Sequence, residues 1–200
     1  MENVVSMKIP IPTSLNKLYC NQYIWDNKRK MRVPTGKRVL TAEGEACKKE
    51  IQRIAKSSIK LHPNWDFEET KTRHLYIDMT FVFQRTNMDA DNTFKLMLDS
   101  LQGIVFFNDS NVLPRPQRIL YCSKNPRVYL KFKFVDYIGI FDNIEMLDKF
   151  NNDYCYNCRR YSRNCSILKR AKEGRLQDEI DRSSDGTISC NSHSDGKNKK

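Results

Sequence analysis

The sequence predicts an α/β domain, a mixed β-sheet with helices packed on it, followed by a small cysteine-containing appendage. Three observations predict it. From Leu75 to Phe83 the odd positions Leu75, Ile77, Met79, Phe81 and Phe83 are apolar, with Tyr76, Asp78 and Thr80 between them. This is the period of a strand with one buried face. Next, Phe94, Met97, Leu98 and Leu101 recur at i, i+3, i+4 and i+7, the spacing of a helical stripe. Beyond Gly139 the chain turns polar, rich in Asn and Tyr, and carries Cys155, Cys158 and Cys165.

The remaining elements fall around these. Val5, Met7, Ile9 and Ile11 alternate with Ser6, Lys8 and Pro10, a first strand whose prolines place it at a sheet edge and which ends at Pro12-Thr13-Ser14. Lys28, Arg29, Lys30, Arg32, Lys37 and Arg38 sit among Tyr23, Trp25, Pro34 and Gly36 and read as a basic loop. A helix starts at Thr41, a suitable N-cap, and buries Ala46, Ile51, Ile54 and Ala55 with Lys48, Lys49, Arg53 and Lys56 in water, stopping by His62-Pro63-Asn64. The helix after the main strand is short and stops at Gly103. Two strands follow at Gln117–Cys122 and Arg127–Val135, giving the order β-α-β-α-β-β. The domain spans residues 1–138, and the appendage 139–182 includes a helical run from Ser166 to Asp181. The Ser-, Asp-, Gly-, Asn- and Lys-rich tail 183–200 is expected to be disordered.

Composition narrows the class of function. With 39% hydrophobic and 10% aromatic residues among 200, the chain buries a core, while a mean hydropathy of −0.69 describes a wet exterior. A net charge of +11 and a pI near 9.3 call for an anionic partner. Residues 1–60 hold thirteen Lys or Arg against five acids, so the excess is concentrated there. No run of eighteen apolar residues exists, and Met1-Glu2-Asn3 does not open a secretory signal, so a membrane partner is not expected and the cytoplasm is. Seven cysteines, an odd number, are then reduced thiols or metal ligands rather than a disulfide framework.

The informative stretch is Met88 to Asp99, where a strong strand gives way to a helix. Asp89 and Asp91 are two apart and point the same way at an extended strand end, while Asp91, Lys95 and Asp99 follow at i, i+4 and i+8 along one helical stripe. Crowded carboxylates repel unless a hard divalent cation neutralises them, and magnesium is the natural guest. Such an ion activates water and offsets charge on a scissile phosphate. Lys95 adds a fixed positive charge, and Asp109, beyond Gly103, lies where the chain folds back. The plain alternative is that Asp91 or Asn92 caps the helix and that Lys95 makes ordinary surface ion pairs. The basic loop has two readings as well: a phosphate grip with stacking rings, or a solvated surface.

Taken together, Asp89-Ala90-Asp91-Asn92, Lys95, Asp99-Ser100-Leu101-Gln102-Gly103 and Asn108-Asp109-Ser110-Asn111-Val112 resemble the RusA-type Holliday junction resolvases. Ile9-Pro10-Ile11-Pro12-Thr13-Ser14-Leu15-Asn16-Lys17 and Leu40-Thr41-Ala42-Glu43-Gly44 are similar to that family's opening strand and first helix start, so the likeness spans about residues 4–135. It implies a RusA-like fold in a homodimeric endodeoxyribonuclease of bacterial or phage origin. It further implies that four-way junctions are cut with Mg2+, or Mn2+ in its place, in recombination and repair, with no small-molecule substrate. By the same likeness Asp89, Asp91 and Asp109 hold the metal, Lys95 is the catalytic lysine and Asp99 is an auxiliary acid. One departure is Asn108, where the family commonly has a second acid beside the retained Asp109. A non-catalytic DNA-binding or regulatory protein with structural aspartates, and a flap or branched-DNA nuclease, are the other readings.

Cys155, Cys158 and Cys165 form a C-x2-C-x6-C array outside that likeness. Three thiolates and a fourth ligand would hold a structural Zn2+; free thiols and a redox pair are the alternatives. The spacing leaves the fourth ligand open among Cys190, His193, Cys47 and Cys122. With zinc bound, Arg159, Arg160 and Arg163 would form a second basic patch. His62, His74 and His193 read as ordinary residues.

Overall fold

Alternating apolar residues build the sheet. The computed structural model describes residues 3–196, in two compact units, one ending at Phe134 and the other starting at Val135. In the first, β1 (Val4–Ile9) buries Val5, Met7 and Ile9 and leaves Ser6 and Lys8 in water. A short helix α1 (Leu15–Leu18) follows the prolines and buries Leu18.

The expected basic loop is instead an antiparallel ribbon of β2 (Tyr19–Asp26) and β3 (Met31–Leu40). At its tip Asp26 Oδ1 accepts from the backbone N–H of Lys28 at 2.8 Å and of Arg29 at 3.2 Å. Most ribbon side chains are exposed on both faces, so no apolar alternation marks the strands. Pro34 and Gly36, loop signals elsewhere, are tolerated in a ribbon whose outer edges pair with nothing in its sheet.

Thr41 caps α2 (Ala42–Lys60): its hydroxyl accepts from the Gly44 N–H at 3.2 Å and donates to the Lys17 carbonyl at 3.1 Å. Gly44 packs so closely on α1 that a Cβ there would stand 2.9 Å from Leu18 Cδ1. From Gly44, steps of three and four reach Cys47, Ile51 and Ala55, the inner stripe. Ala46 lies off that stripe and is exposed, contrary to expectation, while Lys48 is half-buried.

β4 (Leu75–Phe83) forms as its alternation predicts, and α3 (Phe94–Leu101) ends just before Gly103. Through α3 the chain crosses to β5 (Val112–Tyr121), parallel to β4, and β6 (Arg127–Phe134) returns antiparallel between β4 and β1. The sheet order is β1-β6-β4-β5, a mixed sheet with β1 at an edge as expected. β5 begins at Val112 rather than Gln117. Its Pro114 and Pro116 read as breakers, yet an edge strand accommodates them, and Gln117 is skipped in the pairing as a bulge. One core cluster joins Val5, Met7 and Ile9, the inner face of β4, Phe132 of β6, and Ile51, Ala55, Met97 and Leu101 of the helices. Each fully buried Phe81, Phe83 or Phe132 contributes about 1.5–3 kcal/mol. On the other face Arg115 pins β5 to β4, stacking 3.5 Å from the Tyr76 ring centroid and donating from Nε to Asp78 Oδ1 at 2.7 Å.

In the second unit, Asn143 Oδ1 accepts from the Met146 N–H at 2.8 Å and caps α4 (Ile144–Phe150). A wide π turn at Asn151–Cys155 and a 3-10 turn at Tyr161–Arg163 lead to α5 (Ser166–Lys172). The helical run expected to reach Asp181 ends at Lys172, where Gly174 turns the chain at φ +78°. Within the tail expected to be disordered, Ile188–Cys190 forms a strand. β7 (Ile180–Arg182) pairs antiparallel with β8 (Ile188–Cys190) across a turn in which Asp185 Oδ1 accepts from the Thr187 N–H at 2.9 Å. Residues 197–200 of that expectation lie outside the described residues. Phe141, Leu147, Phe150, Cys155, Leu168, Ala171 and Ile188 form this unit's small core. Among the described residues no helix is long and apolar enough to cross a membrane.

Candidate active site

The acids and the lysine ride on the crossover between the parallel strands β4 and β5. A 3-10 turn at Asp91–Thr93 leads straight into α3, closed by Thr93, whose N–H and Oγ1 both donate to the Ala90 carbonyl at 3.0 and 2.6 Å. Asn92 sits between the two aspartates: its N–H donates to Asp91 Oδ1 at 2.9 Å and its Nδ2 to Asp89 Oδ2 at 3.3 Å. These bonds offset the repulsion of two exposed carboxylates and set their orientation. The capping alternative does not hold for Asp91 or Asn92, since the N-cap of α3 is Thr93, without a side-chain cap bond.

One turn along α3, Lys95 Nζ donates to Asp99 Oδ1 at 2.8 Å. That bond holds the ammonium above the ordinary lysine value despite some desolvation, and the fields of Tyr19 and Asp109 add to it. Lys95 therefore stays charged at neutral pH, and Asp109 lies within its electrostatic reach. Tyr19 stands at the root of β2, so the basic ribbon springs from beside this group. Asp99 also borders a groove of about 720 Å³ with Lys48 and Gln52 of α2 and Phe107.

Asp109 is positioned by a clamp that sequence reasoning missed. Trp65, nearly buried, donates from Nε1 to the Val105 carbonyl at 2.8 Å and stacks on Phe134 at 5.0 Å. The Phe107 N–H donates to Thr70 Oγ1 at 2.9 Å, and Asn111 Nδ2 donates to the carbonyls of Thr70 and Lys71, both at 3.2 Å. Asn108 Oδ1 accepts from the Ser110 N–H at 3.2 Å, capping the 3-10 turn that begins at Asp109. Asn and Asp cap equally well, which is a physical reason for this position to accept either. Trp65, Thr70 and Lys71 lie far from Asp109 in sequence, and no local motif announces them.

Among the described residues no three His, Cys, Asp or Glu side chains converge as the ligands of a metal ion, so Asp89, Asp91 and Asp109 do not form a closed cage. Their donor chemistry, all carboxylate oxygen, still suits a hard cation. Magnesium is commonly held by one or two carboxylates, with water and substrate phosphate completing its shell.

All six predicted basic residues, Lys28, Arg29, Lys30, Arg32, Lys37 and Arg38, are exposed on the ribbon. Tyr23 and Trp25 are 54% and 60% exposed among them. Arg38 is tethered at the root, donating from Nη2 to the Tyr19 carbonyl at 3.3 Å.

In the second unit Cys155, Cys158, Cys165 and Cys190, all free thiols, line one cavity of about 10 Å³. Burial, then the neighbouring Cys165, Cys190 and Cys158, pushes the Cys155 thiol up to about 11. His193 is engaged at both ring nitrogens, with the Tyr154 carbonyl at 2.7 Å from Nδ1 and Asp195 Oδ1 at 2.9 Å from Nε2. Asp195 first, then that carbonyl, raises its pKa above the ordinary histidine value. His62 has its Nδ1 2.8 Å from the Ser58 carbonyl and its Nε2 3.5 Å from the Ser6 N–H.

Fold and site define a class, a mixed α/β domain that carries carboxylates and a lysine on a parallel crossover beside a basic ribbon. Residues 23–133 match the family model described as Endodeoxyribonuclease RusA, and the chain belongs to this family of DNA-cleaving hydrolases. The match takes in the ribbon from Tyr23 onward, the acids and β6 up to Lys133, and leaves out β1, α1 and the second unit. A search of curated proteins gives no significant match.

Proposed function

We propose that the protein resolves four-way DNA junctions as a homodimer, by divalent-metal-dependent hydrolysis, in cytoplasmic recombination and repair. The observation that supports this most is Lys95, charged and bonded to Asp99, in the field of Asp109 within the family-matched segment. Asp89, Asp91 and Asp109, drawn together as it binds, would hold the ion, magnesium or manganese, which when bound lowers the pKa of water and offsets charge on the scissile phosphate. Lys95 presents a fixed positive charge to the developing phosphorane, and Asp99 aims it. Asn92 holds Asp89 and Asp91 in place. The ribbon grips backbone phosphates with its bases, while Tyr23 and Trp25 stack on bases left unpaired at the branch point. Two copies related by a two-fold axis match the approximate symmetry of a four-way junction.

The test is a panel of labelled four-way junction, flap, duplex and single-stranded DNA, with magnesium, with manganese and with chelator. Paired cuts in the junction alone, and only with metal, are expected. Preferred cutting of flaps would make this a branched-DNA nuclease. Tight junction binding with no cutting under either metal would leave a non-catalytic binding protein.

The ribbon makes a separate prediction. Removing charge at the tip by Lys28→Ala, Arg29→Ala and Lys30→Ala together should reduce the slope of log affinity against log salt by about one for each phosphate no longer neutralised. An unchanged slope would show that the tip does not touch phosphate.

A further inference from the structure

We propose that Cys155, Cys158, Cys165 and Cys190 are the four ligands of a structural zinc ion in the second unit. The expected trio thereby gains its fourth ligand from the hairpin, and this inference is independent of the nuclease reading. The four come from separate pieces of backbone: the end of the π turn, the turn after it, the residue before α5, and the last residue of β8. They nevertheless border a single cavity of about 10 Å³, the space of one small particle. Both nitrogens of His193 are engaged elsewhere, which leaves Cys190 as the tail's donor.

The surroundings fit a thiolate cage. The Tyr161 N–H donates to the Cys158 carbonyl at 3.1 Å and the Cys158 N–H to the Cys155 carbonyl at 2.8 Å, so backbone bonds fix the turn that carries both cysteines. A four-thiolate zinc centre carries two net negative charges. Arg160 lines the same cavity and sets a positive charge beside it. Among the described residues no three of the side chains stand at ligand spacing, so binding must draw the sulfurs inward around the cavity. Soft thiolates select zinc over magnesium, and four of them close a tetrahedral structural site.

The fold of this unit gives the ion a purpose. Its helices α4 and α5 have seven residues each, its hairpin strands three, and its core is small. Units of this size commonly need a disulfide or a metal to hold together. Zinc would tie the 151–165 segment, α5 and the hairpin to one point, and part of its binding free energy would appear as folding free energy.

The experiment is elemental analysis of the full-length protein purified under reducing conditions without added metal. About one zinc per chain is expected. Cys158→Ser and Cys190→Ser should each lose it, while the combined Cys20→Ser, Cys47→Ser and Cys122→Ser variant should keep it. Because site variants can misfold, the wild-type protein is also stripped with a mercurial reagent and titrated with Co2+. Sulfur-to-cobalt charge-transfer and intense tetrahedral d–d bands, bleached by Zn2+, are expected. The proposal is overturned if wild-type protein holds no zinc and gives no such bands, if it holds iron or copper instead, or if intact mass shows these cysteines as disulfides.

Discussion

Asp91→Asn is expected to leave four-way junction binding within a few-fold of wild type while lowering the single-turnover rate of cleavage about 10³-fold. Asparagine keeps the volume and an oxygen for the Asn92 N–H, so the 3-10 turn ahead of α3 survives. What is lost is a charged ligand, and the charge stabilisation a bound metal brings to such a transition state amounts to several kcal/mol. At about 1.4 kcal/mol per decade, that corresponds to the stated loss. Lys95→Ala should cost about 10²- to 10³-fold in the same assay. The measurements are cleavage in magnesium and gel-shift binding in chelator. An Asp91→Asn protein that still cuts within tenfold of wild type would place the reaction elsewhere on the molecule.

Trp65→Ala should destabilise the first unit by about 3–5 kcal/mol, the range for truncating a large buried aromatic. It removes the stack on Phe134 and the bond to the Val105 carbonyl together. Trp65→Phe separates the two, because a ring remains while the carbonyl loses its donor, at a cost of about 1–3 kcal/mol. Val105 leads into the segment bearing Asp109, so Trp65→Phe should also slow cleavage without weakening junction binding. Urea denaturation followed by circular dichroism reads the stability. A Trp65→Phe protein as stable as wild type would show that water replaces the indole N–H.

Elements resting on the core were legible residue by residue. β4 and α3 each bury one side, so burial writes a period of two or of 3.6 into neighbouring residues. The ribbon left no such trace because its two faces are both wet. The β7–β8 hairpin was hidden by its polar composition, although Asp185-Gly186 is a recognised hairpin turn pair. At the site, Asp89, Asp91, Lys95, Asp99 and Asp109 could be named from local spacing and family likeness. Trp65 and Thr70 could not, since their bonds join residues about forty positions apart.

Residue order alone determined the α/β class and the family, because periodicity and short motifs are properties of neighbours. Tertiary structure alone decided that Asp109 lies within the electrostatic reach of Lys95, that the bases stand on a ribbon, and that Cys190 joins the other three thiols while His193 turns away. Each depends on loops closing between distant residues, and a closed loop imposes no repeating pattern on the chain within it.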